Sequence, residues 1–143
     1  MRIDAHQHFW RYGADTHTWI DDGMAGLRRD FLPADVKPAM EAAGFDGSIA
    51  VQAQQNIGET EWLLELSAQH PFVRGVVGWV DLRAADVCEQ LARLAAYPAL
   101  CGIRHIVQDE PEGFMLRTDF QRGIAALAEF DLAYDILIHA RQL

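Results

Sequence analysis

Short apolar strands alternate along this chain with amphipathic helices, and this alternation restricts the fold more than any other feature of the sequence. After a first strand-like run at the start, further runs predict strands over residues 47–53, 73–80, 100–107 and 133–139. Apolar side chains at helical spacing predict helices over residues 59–70, 84–96 and 119–130, and an earlier helix begins near Pro33 and ends at Gly44. Strands separated by helices of this length predict right-handed βαβ units in a parallel sheet.

Two parallel architectures have this order of elements, a doubly wound sheet and a (β/α)8 barrel. A doubly wound sheet usually carries a glycine-rich phosphate loop after its first strand, whereas here that position holds His6 and His8. Polar residues at the ends of several strands favour a barrel, which needs eight units and about 250 residues. The 143 residues supply about four units and a fifth strand. We therefore predict an α/β fold, half of a TIM (β/α)8 barrel with parallel strands, as a single domain over residues 1–143.

Charge and composition exclude several classes of partner. The chain has 21 acidic and 12 basic residues, a net charge of −9, which opposes sequence-independent binding to nucleic acid and to anionic membranes. No apolar run approaches the roughly 18 residues that a membrane span needs. Cys88 and Cys101 lack the spacing of a metal site, so we expect two small core residues, no disulfide and a cytoplasmic protein.

The first strand ends in a pair of histidines that is the clearest candidate for a site. Because side chains alternate along a strand, Asp4, His6 and His8 should lie on one face. Two neutral imidazoles on one face can hold one metal cation or one carbonyl oxygen of a substrate. Taken alone, the pattern fits two ordinary histidines at a strand end equally well.

A long segment without a sustained period, residues 11–29, follows the histidines. Connections of more than about 12–15 residues inside a compact domain are usually functional or disordered. Trp10, Tyr12 and Trp19 favour packing over a pocket, and a surface excursion anchored by these aromatic rings is the alternative.

Six short motifs run through the chain in a fixed order. They are residues 3–10 (IDAHQHFW), 29–33 (RDFLP), 51–53 (VQA), 75–82 (GVVGWVDL), 102–105 (GIRH), and 134–135 (YD) with 141–143 (RQL). Together they resemble the amidohydrolase-2 family, and most closely its branch of L-fuconolactonases and L-rhamnonolactonases. The resemblance extends over essentially the whole chain. It implies the N-terminal half of a TIM barrel and a hydrolase that opens the lactone of a sugar acid, a small-molecule substrate of carbohydrate metabolism.

By position in these motifs, the resemblance implies four site residues, His6, His8, Arg104 and His105. Members of the superfamily differ in metal use. One divalent cation bound by His6 and His8, with zinc as the first candidate, is therefore one expectation, and a site without metal is the other. The family normally continues with a strand carrying a Leu-Asp-His type motif and with an aspartate that acts as general base, and neither occurs in these residues.

The chemistry of lactone opening assigns roles to these residues. The reaction needs a base for the attacking water and a group that stabilises the oxyanion formed on the carbonyl. His6 and His8 suit the second task, as substrate-binding residues or through a metal. Arg104 and His105 are the catalytic candidates, a fixed cation and a hydrogen-bond donor.

Arg104 and His105 are neighbours on one strand, so they face opposite ways unless one lies past its regular end. We favour His105 as the functional member, and a structural salt bridge is the alternative for Arg104. Gln52 and Trp79, at the ends of the second and third strands, are secondary substrate-binding candidates. For Trp79, packing inside the barrel is the alternative.

Two further functions remain open. One is non-oxidative decarboxylation, which other enzymes of the same superfamily catalyse. The other is a catalytically incomplete half-barrel that only oligomerises. Since a half-barrel leaves two strand edges and an apolar face uncovered, we expect a homodimer or a higher homo-oligomer.

Overall fold

The computed structural model describes residues 1–142, in which five parallel strands form one sheet in the order β1-β2-β3-β4-β5. The strands are β1 (Ile3–Gln7), β2 (Gly47–Val51), β3 (Val73–Gly78), β4 (Leu100–Ile106) and β5 (Ala133–Leu137). The α-helices are α1 (Pro33–Ala42), α2 (Ile57–Gln69), α3 (Val87–Leu94) and α4 (Thr118–Ala126). Short 3₁₀ turns span Asp22–Leu27, Val107–Asp109, Phe114–Leu116, Leu127–Phe130 and Ala140–Gln142. Within residues 1–142, no helix combines the length and the apolar character that crossing a membrane requires.

Local side-chain signals fix the ends of the first two helices. The Asp35 carboxylate accepts a hydrogen bond from the backbone N–H of Leu32 just before α1, at 2.7 Å. After α1 the chain turns at Gly44, whose φ of +74° favours glycine. Asn56 caps α2, because its side-chain oxygen accepts from the backbone N–H of Glu59 at 2.8 Å.

The hydrophobic core lies between one face of the sheet and helices α2, α3 and α4. Its fully buried members come from all three helices and from the central strands: Leu63, Leu64, Leu91, Leu94, Phe120, Val76 and Ile103. Burying one such side chain stabilises the fold by about 1.5–3 kcal/mol. Helix α4 approaches the segment after β3 so closely that a Cβ on Gly123 would overlap the backbone carbonyl oxygen of Leu82. Only glycine fits at that contact.

The predicted α/β half-barrel is confirmed, with element ends that differ from the predicted ones by a few residues. The prediction of core cysteines is wrong, because Cys88 and Cys101 are exposed free thiols. On α3, Val87 belongs to the buried face, so its neighbour Cys88 faces outward. Cys101 is exposed because no other element of the half-barrel in residues 1–142 covers it. Leu100 packs in the core, so Cys101 faces the side of the sheet away from the helices.

Candidate active site

The two histidines of the first strand lie against each other at its carboxyl end. The Nε2 atoms of His6 and His8 are 3.1 Å apart, and the rings meet edge to face with centroids separated by 4.8 Å. The predicted shared face is therefore present for this pair. Asp4 accepts a hydrogen bond from the backbone N–H of His6 at 3.1 Å, so its carboxylate is engaged with the strand itself.

Hydrogen bonds to other groups fix the tautomers of both rings. The Nδ1–H of His8 donates to the backbone carbonyl of Val51 at 2.9 Å, which leaves Nε2 of the neutral ring with a lone pair. Arg104 can only donate, so its contact of 3.2 Å with Nε2 of His6 requires a lone pair there as well. Nε2 of His8 therefore has a free lone pair, while the lone pair of His6 accepts from Arg104. Burial lowers the pKa of His8, and the positive charge of Arg104 lowers it further, which keeps that ring neutral.

Arg104 extends from β4 across the sheet to the residue that follows β2. Its Nε and Nη2 atoms donate to the side-chain oxygen of Gln52 at 3.1 and 2.6 Å, and Nη2 also donates to the backbone carbonyl of Gln52. The guanidinium is 6 % exposed and Gln52 is fully buried. Burial lowers the pKa of Arg104, while Asp135, its register partner on β5, acts in the opposite direction. Gln52 thus holds a cation beside the two histidines.

His105 and Trp79 lie on the other face of the sheet. The Trp79 indole N–H donates to Nδ1 of His105 at 3.2 Å, and Nε2 of His105 lies 2.8 Å from the Glu110 carboxylate. The ring of His105 stacks on Phe114 at 5.0 Å and meets Phe120 of α4 edge to face. With 2 % exposure, His105 belongs to the packing between β4 and α4. The structure therefore brings Arg104, and not His105, to the histidine pair, and the predicted roles of His105 and Trp79 gain no geometric support.

The segment after β1 forms one wall of the site. A cavity of about 120 Å³ is lined by His8, Trp10, Trp19, Ala53 and Arg104. Trp10 is fixed by a hydrogen bond from its indole to the backbone carbonyl of residue 29 at 3.0 Å. Trp19 is 47 % exposed and meets Trp10 edge to face at 6.3 Å. Residues 11–29 were predicted either to pack over a pocket or to form a surface excursion. In the structure, Trp19 of this segment lines the cavity.

Two residues to which the sequence assigned no role in the site, Glu59 and His17, support this arrangement from behind. Glu59 in the first turn of α2 accepts hydrogen bonds from the backbone N–H groups of Ala53 and Gln54 at 3.0 and 2.8 Å. The buried ring of His17 lies 3.0 Å from the Gln54 amide through Nε2. Burial raises the pKa of Glu59 to about 7. The sequence signal for Glu59 was its position three residues after a capping asparagine. An ordinary solvated acidic residue often occupies the same position, so the signal does not indicate burial.

The structure is a parallel half-barrel with polar residues converging at the carboxyl ends of its strands, the edge at which the active sites of TIM barrels lie. The sequence pattern of the amidohydrolase family matches residues 3–143, and the chain belongs to this family.

Relatives of the chain are twice as long. It is 46 % identical over its whole length to an L-fucono-1,5-lactonase of Burkholderia multivorans and covers 49 % of that protein. It is 35 % identical to an L-fucono-1,5-lactonase of Burkholderia ambifaria and covers 50 % of it. The crystal structure of an amidohydrolase from Burkholderia multivorans with bound zinc superimposes with a TM-score of 0.93 and 45 % identity, over 99 % of this chain and 50 % of that one. The chain thus spans about half the length of these relatives.

The residues present here fit a metal such as the zinc of that relative only in part. Zinc–nitrogen bonds of 2.0–2.1 Å in tetrahedral geometry place two ligand nitrogens about 3.3 Å apart. The Nε2 atoms of His6 and His8 are 3.1 Å apart and match this spacing, and a cation bound there would replace the hydrogen bond from Arg104 to His6. The part of the chain that the structure describes contains no cluster of three or more His, Cys, Asp or Glu side chains suited to a metal. The pair fits two ligands of a cation, and the others would come from outside these residues.

Proposed function

We propose that this chain supplies half of the active site of a hydrolase that opens the ring of a sugar lactone. The observation that carries the proposal is the convergence of His6, His8 and Arg104, with neighbouring nitrogen atoms separated by 3.1 and 3.2 Å at the catalytic edge of the sheet. The names of relatives 46 % and 35 % identical to the chain point to L-fucono-1,5-lactone as the substrate.

In lactone hydrolysis, water attacks the carbonyl carbon, negative charge develops on the carbonyl oxygen, and the bond to the ring oxygen breaks to give a hydroxy acid. The rate depends on donors aimed at that oxygen. Arg104 has one N–H on Nη1 without a partner among residues 1–142, and the guanidinium lines the cavity beside His8. We assign Arg104 to the developing oxyanion and the tryptophan wall formed by Trp10 and Trp19 to the C–H face of the sugar.

The same two histidines are the residues that would hold a divalent cation, with zinc as the first candidate. When bound, such a cation polarises a carbonyl oxygen and lowers the pKa of a bound water. Without it, the Nε2 lone pair of His8 accepts a hydrogen bond from a sugar hydroxyl, and His6 lies beside the substrate and holds Nη1 of Arg104 there. We place the general base in the half of the barrel that the relatives have and this chain does not span.

A chimera tests the proposal directly. The chain is joined to the C-terminal half of the Burkholderia multivorans relative, and hydrolysis of L-fucono-1,5-lactone is followed with a pH indicator. We expect activity that falls at least about 100-fold in His6→Ala and in Arg104→Lys, because the first removes the acceptor that holds Nη1 of Arg104 and the second removes the guanidinium donors at the carbonyl. His70→Gln, a half-buried histidine at the end of α2 and before the start of β3, is the control and should match the parent. A folded chimera without activity would contradict the proposal, as would full activity in Arg104→Lys.

We also propose that the chain forms a homodimer or a higher homo-oligomer. In residues 1–142, β1 and β5 each pair along one edge only, and Ile136 on β5 is 65 % exposed. A second copy would cover these edges and bring two histidine pairs into one assembly. Sedimentation velocity across a hundredfold range of concentration should show association, and a folded monomer throughout would refute it.

We place the protein in the cytoplasm, in line with its two free thiols, which cell fractionation can check.

A further inference from the structure

The peptide group between Gln52 and Ala53 is held at both ends by charged side chains. Its carbonyl, on Gln52, accepts from Nη2 of Arg104. Its N–H, on Ala53, donates to Oε2 of Glu59 at 3.0 Å. A trans peptide is planar, and its C=O and N–H point in opposite directions. One rigid peptide group therefore lies between the Glu59 carboxylate and the Arg104 guanidinium.

Glu59 lies where it can set the orientation of this peptide group. Its side chain is 8 % exposed, and the same oxygen that binds Ala53 also accepts from the N–H of Gln54 at 2.8 Å. Two donors from consecutive residues fix the direction of the chain after β2. The backbone N–H of Gln52 adds a third restraint, since it donates to the carbonyl of Val77 on β3 at 2.8 Å.

The charged and titratable groups around Glu59 are few. Arg104 on β4 acts on it electrostatically, Arg11 lines the same cavity, and His17 lies one residue further away through Gln54. The other carboxylate oxygen, Oε1, is buried with no hydrogen-bond partner among residues 1–142. The carboxylate therefore has its hydrogen bonds to the two amides and faces Arg104 only across the peptide.

We propose that Glu59 is a positioning residue for Arg104, acting through the Gln52–Ala53 peptide. The carboxylate holds the N–H end of the peptide, so the carbonyl end points at the guanidinium and keeps Nη1 beside His6. Opposite charges at the two ends polarise the peptide and strengthen both hydrogen bonds. The consequence for catalysis rests on the proposed lactone hydrolysis, whereas the coupling between Glu59 and Arg104 does not.

Nuclear magnetic resonance of the chain alone tests the coupling. The signals followed between pH 4.5 and 8.5 are the backbone amide of Ala53 and the Nε–H of Arg104. We expect both to shift with one midpoint, that of Glu59, which lies near 7. In Glu59→Gln this step should disappear from both signals, while Glu65→Gln, an exposed acid on the same helix, should keep it. Since His6 also contacts Arg104, the titration is repeated in His6→Gln, where the step should remain.

An Arg104 Nε–H signal that keeps its full step in Glu59→Gln would overturn the proposal, as would an Arg104 signal that does not follow the Ala53 amide in His6→Gln. If Glu59→Gln does not fold, the titration of Glu59→Asp replaces it. The shorter side chain should shift the midpoint of the Ala53 and the Arg104 signals by the same amount, and a shift in only one of them would overturn the proposal. In the active chimera, Glu59→Gln should lower kcat about tenfold and leave KM within about twofold. An inactive chimera with the coupling intact would count against lactone hydrolysis and leave this inference standing.

Discussion

Replacing Glu59 by glutamine should remove a pH dependence from the stability of the folded chain, and the size of that dependence is set by the burial of the carboxyl group. Burial raises the pKa of Glu59 from its ordinary value of 4.5 to about 7. The folded chain therefore binds this proton more tightly than the unfolded chain does. The stabilisation is fully present below pH 4.5 and is lost as the pH rises through 7. At about 1.4 kcal/mol per pKa unit, the full loss is about 3.5 kcal/mol, and about 3 kcal/mol of it falls between pH 4.5 and pH 8.

Urea unfolding at pH 4.5 and at pH 8 measures this effect, with the wild type and Glu59→Gln compared at each pH. Other carboxylates titrate equally in both proteins, so they cancel in the difference between the two free energies of unfolding. We expect that difference to move by about 3 kcal/mol in favour of the glutamine variant as the pH rises. Glu65→Gln, which removes an exposed carboxyl group from the same helix, is the matched control. A constant difference between the wild type and Glu59→Gln, with equal m-values, would refute the reasoning.

Three further substitutions test the packing and the electrostatics. Gly123→Ala should lower the free energy of unfolding by about 2 kcal/mol in a urea titration, because the added methyl overlaps the carbonyl of Leu82, although alanine favours helix elsewhere. Arg104→Met should raise the pKa of His8 towards its ordinary value, since a nearby positive charge is removed, and a histidine titration by nuclear magnetic resonance would detect this. Asn56→Ala should cost about 1 kcal/mol of stability through loss of the α2 cap, and an unchanged urea midpoint would contradict that role.

The fold was largely predictable from the sequence because strand and helix periods differ clearly along this chain. The spacing of Leu63 and Leu91 with their neighbours placed the buried faces of α2 and α3 towards the sheet. Exact ends were less predictable, since caps depend on single side chains such as Asn56. The exposure of Cys101 could not be read from the sequence, because it depends on which face of β4 the helices cover.

The candidate site was predictable only where one strand determines it. Alternation along β1 was enough to place His6 and His8 together. On β4 the same rule said that Arg104 and His105 separate, but not which one faces the histidines. That choice follows from the packing of α4 against His105, a long-range contact. The role of Glu59 depends on a loop that folds back onto its own helix, which leaves no periodic trace in the sequence.

Because the strands pair in sequence order, each one finds its partner in the segment synthesised just before it. Paired residues in neighbouring strands are about 25 to 45 positions apart, which is short for a parallel sheet. A sheet needs about three strands with a covered face to be stable. The shortest N-terminal segment that could form a stable sheet therefore ends near the end of β3. The chain can therefore fold from its N-terminus while it is still being made, and β4 and β5 add to a surface that is already ordered.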